Sequence, residues 1–345
     1  MQFGGMQFGA QGSKANFSRI TALFLSLVLT ISFSAHSAQG AGKKLVFVTI
    51  DCAYTSASTI ESYASLPNID GLGLELQWLK LEPQSGKYDW SAADNAIRIA
   101  AKHKKYVTLY LMRSPKPPDW LTEGGKAQTF FSGSINRGIG VDPIPWDKVY
   151  LDSYVRLLQA AALHFKSLNM TPYIFAVGTV APERDCTIEG SRNGMLGTTA
   201  YNRSKYLAAC EQMIDSYARI FPTARQFVAA PSDSLICLPQ HDPEFYLELM
   251  TYAISKHRQG CWLFARDLSS AGSRNSAPYL VSFNQRTGIA YQVCAGTAEA
   301  TSPDNFSRAI TIGLENGAIY FEIAPAFAVN EHPVIQQTID RIHRN

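Results

Sequence analysis

The chain is poor in charge, in histidine and in long apolar runs. Charged residues make up 17% of its 345 residues, with 31 Lys+Arg against 28 Asp+Glu. That near-neutral balance argues against the basic face by which nucleic-acid binders are recognised. At 46% hydrophobic, the chain is also far from a disordered composition. Six Cys are too few for a disulfide scaffold at this length. The only long apolar run, Ile20 to Phe33, is about 14 residues, short of the roughly 20 that a membrane span needs.

The setting of that run gives it a meaning. Lys14 and Arg19 precede it with no acid, and the small residues SAHSAQGAG follow. This is the order of a secretory signal. The expectation is a signal over residues 1–38 and a folded region over 39–345, exported and therefore secreted or periplasmic. No membrane span is expected in the mature chain. Losing Lys14 and Arg19, and no acid, lowers the formal charge from +3 to +1. All six Cys would then sit in a compartment that permits disulfides.

What is present is a regular alternation. Apolar runs at 45–50, 71–78, 106–112, 172–178, 225–231, 261–268, 288–295 and 318–323 read as strands. They lack polar alternation, as strands of a parallel sheet buried on both faces do. Helical patterns fill 91–105, 147–169, 199–221, 242–257, 302–317 and 332–344. Ser91 and Asp94 fit a capping box. Asp242 with Pro243 marks another helix start, and Gly317 a helix end. The connections 53–70 and 269–287 are long enough for helices but poorly marked. Eight β/α units in about 300 residues predict an α/β fold, a single-domain (β/α)8 TIM barrel. A doubly wound sheet would want a glycine-rich turn after its first strand, and TIDCAYTSAS has none.

A barrel builds its site beyond the carboxyl ends of its strands. The polar groups at those places are Asp51 and Tyr54; Glu75, Gln77, Trp78 and Glu82; Arg113, Ser114 and Trp120; Glu183; Ser232 and Asp233; Arg266 and Asp267; Gln292; and Glu322. Of the seven His, only His241 lies in such a loop. A His-based metal site is therefore not expected, and nothing in the ring calls for a cofactor. Carboxylates with aromatics are what glycosidic bond cleavage uses: an acid to protonate the leaving oxygen, and a second carboxylate to attack or to activate water. An oligo- or polysaccharide is the expected partner.

The stretch 78–121 carries Trp78, Glu82-Pro83, Gly86, Tyr88-Asp89-Trp90 and Pro118-Asp119-Trp120. In this it resembles the large clan of retaining β-glycosidases with (β/α)8 barrels, especially its β-galactosidase-like members. The resemblance implies a general acid after the fourth strand, where Glu183 stands, preceded by Pro182 rather than Asn. It also implies a nucleophile ending the seventh strand, where this chain has Gln292. The second carboxylate is then Glu322, with Asp267 as the other choice. Catalysis is thus expected of Glu183 and Glu322, and substrate contact of Asp51, Glu75, Trp78, Trp120, Asp267 and Gln292. Each has a plainer reading. Glu183 could pair with Arg184 or Arg192, Asp267 with Arg266, and the tryptophans could be core. A barrel that has lost its nucleophile and only binds saccharide is the alternative function. Cys186 and Cys237 follow neighbouring strands and are the expected disulfide; Cys210, in a helical pattern, could be a buried thiol.

Overall fold

A computed structural model describes residues 43–113, 116–134, 138–179, 202–229, 242–258, 260–272, 277–293 and 302–345. Ten strands are described: β1 (Leu45–Asp51), β2 (Gly71–Gln77), β3 (Tyr106–Met112), β4 (Thr129–Ser134), β5 (Gly138–Pro143), β6 (Ile174–Gly178), β7 (Arg225–Ala229), β8 (Cys261–Leu268), β9 (Gly288–Val293) and β10 (Ala318–Ile323). Eight of them close into a barrel in the order β1-β10-β9-β8-β7-β6-β3-β2, with every pairing parallel. The eight-unit barrel read from the alternation is the architecture present. β4 and β5 form a separate antiparallel hairpin that the alternation did not announce.

Helices cover the outside. They are α1 (Ala57–Ala64), α2 (Trp78–Leu81), α3 (Ser91–Lys102), α4 (Asp119–Thr122), α5 (Lys148–Ser167), α6 (Arg203–Ile220), α7 (Pro243–His257), α8 (Ala277–Phe283), α9 (Pro303–Glu315), α10 (Pro325–Ala328) and α11 (Pro333–Arg344). The poorly marked connections hold α1 and α8. Several starts have side-chain caps, with Asp147 Oδ1 accepting from the Tyr150 N–H and Asp242 Oδ1 from the Phe245 N–H. Such a cap contributes about 1 kcal/mol. The capping box expected at Ser91 and Asp94 does not form. α3 begins one residue earlier than that motif requires, and Asp89 Oδ1 takes the Ser91 N–H instead. Asp94 is turned to Arg98 and His164. Gly317, at φ +85°, ends α9 in the left-handed conformation that glycine adopts without strain.

Histidine–carboxylate pairs tie the outer layer together. Glu61 meets His103, Asp94 meets His164, Asp215 meets His257, and Asp70 meets His343. Inside the barrel the amino-end layer is aromatic. Phe47, Phe175, Phe227, Trp262 and Tyr320 contact one another at ring separations of 4.7–6.0 Å. Arg225 lies over Phe175 and Trp262. The interior at this end is thus filled by side chains, not a pore.

Candidate active site

Side chains two residues apart on a strand share a face. Glu75 and Gln77 on β2 therefore point where Asp51 points from β1. Asp51 and Glu75 are register partners in the sheet. Gln77 Nε2 donates to Asp51 Oδ2 at 3.2 Å, and the Ala53 N–H donates to Asp51 Oδ1 at 2.9 Å. Across the mouth, Arg266 Nη2 donates to Glu75 Oε1 at 2.6 Å, and its Nε to Gln292 Oε1 at 2.9 Å. Five strand-end residues from β1, β2, β8 and β9 thus meet at the carboxyl end of the barrel, as sequence position implied for Asp51, Glu75 and Gln292. The charges of Asp51 and Glu75 reach Cys52, whose thiol is pushed up to about 12 by burial first and then by those two anions.

Glu322 lies one layer deeper and is fully enclosed. Tyr110 and Tyr320 donate to its Oε1 at 2.5 and 2.6 Å. Thr49 Oγ1 and Gln292 Nε2 donate to its Oε2, both at 3.3 Å. Burial raises the carboxyl above its ordinary value, while the hydrogen bonds from Tyr110 and Tyr320 favour the anion. A carboxylate with no exposed surface and both oxygens engaged does not reach a sugar. The expectation that Glu322 acts at the anomeric carbon is corrected: it is a buried anchor for Gln292. Gly73, its neighbour on β2, makes the room, because a Cβ there would lie 2.6 Å from Glu322 Oε1. Thr49, Tyr110, Tyr320 and Gly73 were not singled out in the sequence. Their signal is spacing: Thr49 stands two before Asp51, Gly73 two before Glu75 and Tyr320 two before Glu322.

Trp78 is also corrected. It is completely buried, edge-on to Trp120 and Tyr154, and its indole N–H donates to Glu82 Oε2 at 2.7 Å. No face remains for a sugar. Glu82 has its structural reading, taking also the Gly86 N–H at 2.7 Å and closing the loop after α2. Trp120 is half-buried, with its N–H on the Glu82 carbonyl at 2.9 Å. The hairpin β4–β5 is joined to the end of β3 by a buried ion pair between Arg113 and Asp142. Tyr54, on the loop after β1, is 77% exposed. Asp267 lies within β8, and its side chain is outside the described residues, as are Glu183, Cys186 and Cys237 altogether. Cys52 and Cys261 are buried thiols, and Cys210 is buried in α6. Among the described residues no group of three or more His, Cys, Asp or Glu could hold a metal ion, and no helix is long and apolar enough to cross a membrane.

A closed parallel barrel with this polar ring at its carboxyl end defines the class: a (β/α)8 barrel with its candidate site at the mouth. Residues 72–125 match the family described as β-galactosidase (glycoside hydrolase 42), a region that contains the stretch carrying the resemblance in sequence. Solved structures share the fold. The catalytic domain of a β-amylase from Paenibacillus polymyxa is 9% identical, with TM-score 0.59 over 86% of this chain and 97% of that one. An endo-1,4-β-mannanase from Rhizomucor miehei is 11% identical, with TM-score 0.60 over 89% and 96%. An intracellular xylanase from Thermoanaerobacterium saccharolyticum is 10% identical, with TM-score 0.52 over 82% and 85%. No curated protein sequence matches the chain.

Proposed function

We propose that the protein is an exported glycoside hydrolase that cleaves an O-glycosidic bond at the carboxyl-end mouth of its barrel. The observation that carries this is the ring of Asp51, Glu75, Gln77, Arg266 and Gln292, which offers carboxylates and hydroxyl-binding groups together. The match of residues 72–125 to the β-galactosidase family supports a sugar substrate. Glu183 serves as general acid/base, protonating the leaving oxygen. Residues 1–38 act as the secretory signal, and Cys186–Cys237 forms the disulfide beside the Glu183 loop. Purified protein is to be tested on a panel of aryl β-glycosides and polysaccharides. Turnover is expected, with Glu183→Gln lowering it by about 10²–10⁴-fold. An active protein whose Glu183→Gln variant keeps full rate would refute the acid assignment.

One observation favours a second reading, a saccharide-binding barrel without turnover. Gln292 stands at the end of the seventh barrel strand, where the resemblance implies a carboxylate, and both ends of its amide are engaged by Arg266 and Glu322. Calorimetric binding of a saccharide that is not hydrolysed would select this reading.

A further inference from the structure

Three barrel-strand carboxylates have described side chains, and they differ in what their oxygens do. Both oxygens of Asp51 accept hydrogen bonds, from Ala53 and Gln77. Both oxygens of Glu322 accept, and the residue is enclosed. Glu75 is different. Arg266 holds its Oε1, its side chain keeps 18% exposure, and its Oε2 has no hydrogen-bond partner among the described residues. Arg266 is itself fixed, since Nε bonds Gln292, whose amide nitrogen is anchored on Glu322 at 3.3 Å and Thr49 at 3.1 Å. The chain Glu322–Gln292–Arg266–Glu75 thus runs from the buried layer to the mouth and ends on a carboxylate with one oxygen pinned and one open. Pinning one oxygen orients the other, and a positioned group reacts as though at high effective concentration.

We propose that Glu75 is the nucleophile of the reaction, taking the part that Gln292 cannot. The inference rests on the glycosidase reading above. Glu75 Oε2 forms a bond to the anomeric carbon as that carbon's bond to the leaving oxygen breaks. The leaving oxygen takes its proton from the reaction's general acid. Water then attacks the anomeric carbon of the glycosyl ester, gives its proton to the same group, and releases Glu75 as a carboxylate. Two inversions give net retention.

The test begins with the intact protein and an aryl glycoside that it hydrolyses. A 2-deoxy-2-fluoro analogue of that sugar, which slows the second step, is expected to inactivate the protein, with the label on Glu75 in peptide mass spectrometry. Glu75→Gln, which cannot form the glycosyl ester, should lose about 10⁴-fold or more in kcat. Glu75→Ala should regain turnover with added azide, which a purely structural loss would not permit. Circular dichroism and melting temperature establish that both variants fold; if they do not, the labelling result alone decides. A wild-type protein with no turnover overturns the glycosidase reading and this inference with it. An active protein that labels elsewhere, gives the inverted anomer, or keeps its rate as a folded Glu75→Gln variant overturns the inference alone.

Discussion

Replacing Gly73 with alanine would drive a methyl group into the Glu322 carboxylate. The new Cβ would lie 2.6 Å from Oε1, 3.0 Å from Cδ and 3.3 Å from Oε2. Ordinary van der Waals contact needs about 3.5 Å or more between carbons, so something must move. One route swings the carboxylate away from Tyr110 and Tyr320 and loses two hydrogen bonds to a charged acceptor, at about 1.5–3 kcal/mol each. The other keeps those bonds and pushes β2 away from the Glu322 side chain on β10, an overpacking cost of about 1–3 kcal/mol. The cheaper route decides, and the lower entropy of the unfolded alanine chain returns about 0.4–1 kcal/mol. The net expectation is a loss of about 1–2 kcal/mol. At about 2–4 °C per kcal/mol for large domains, the melting temperature should fall by roughly 2–8 °C. Differential scanning calorimetry is the assay, and Gly260→Ala is the control, because nothing lies within 4 Å of a Cβ there. A Gly73→Ala protein that melts at or above the wild type would refute the account of a rigidly held Glu322.

Three further outcomes are expected. Trp78→Phe removes the N–H that Glu82 Oε2 accepts, and should lower stability by about 1–3 kcal/mol in urea unfolding while leaving KM for any glycoside unchanged; a raised KM would return Trp78 to the substrate site. Asp142→Ala leaves the Arg113 guanidinium buried without its carboxylate and should cost about 3–5 kcal/mol, read from the urea midpoint; a loss under 1 kcal/mol would show the hairpin to be independently held. At Asp70 burial opposes ionisation, but His343, Lys43 and the Val46 N–H outweigh it and hold the carboxyl below its ordinary 3.8. A depressed native value gives stability that is full above the ordinary value and lost as pH falls through the native one. Asp70→Asn should therefore lower stability at pH 6 and flatten the acid limb of a stability–pH curve below about 4; an unchanged limb would contradict the pairing.

The barrel was legible because its strands announce themselves. YVTLYLM, CWLFARDL and AIYFEI begin and end in the structure where their apolar runs do, as a sheet buried on both faces requires. The hairpin was not legible: its strands TFFSGS and GIGVDP are short and rich in Gly and Ser, and among the described residues pair only with each other. The mouth ring followed from strand ends and the two-residue period. Depth did not. Glu322 and Gln292 are register partners, yet Gln292 reaches Arg266 at the mouth while Glu322 sinks into the space above Gly73. A strand-end rule says that a side chain points inward, not how far its neighbours close over it. Trp78 failed for a related reason, since the turn of α2 carries it beneath Trp120 and Tyr154, a contact set by residues 42 and 76 positions away.

The most direct measurement is turnover of aryl β-glycosides and polysaccharides by the purified protein, with product sugar quantified and its anomer identified. The account predicts hydrolysis with retained configuration, lost in the folded Glu75→Gln variant. A saccharide that binds the mouth by calorimetry and is never cleaved would contradict it.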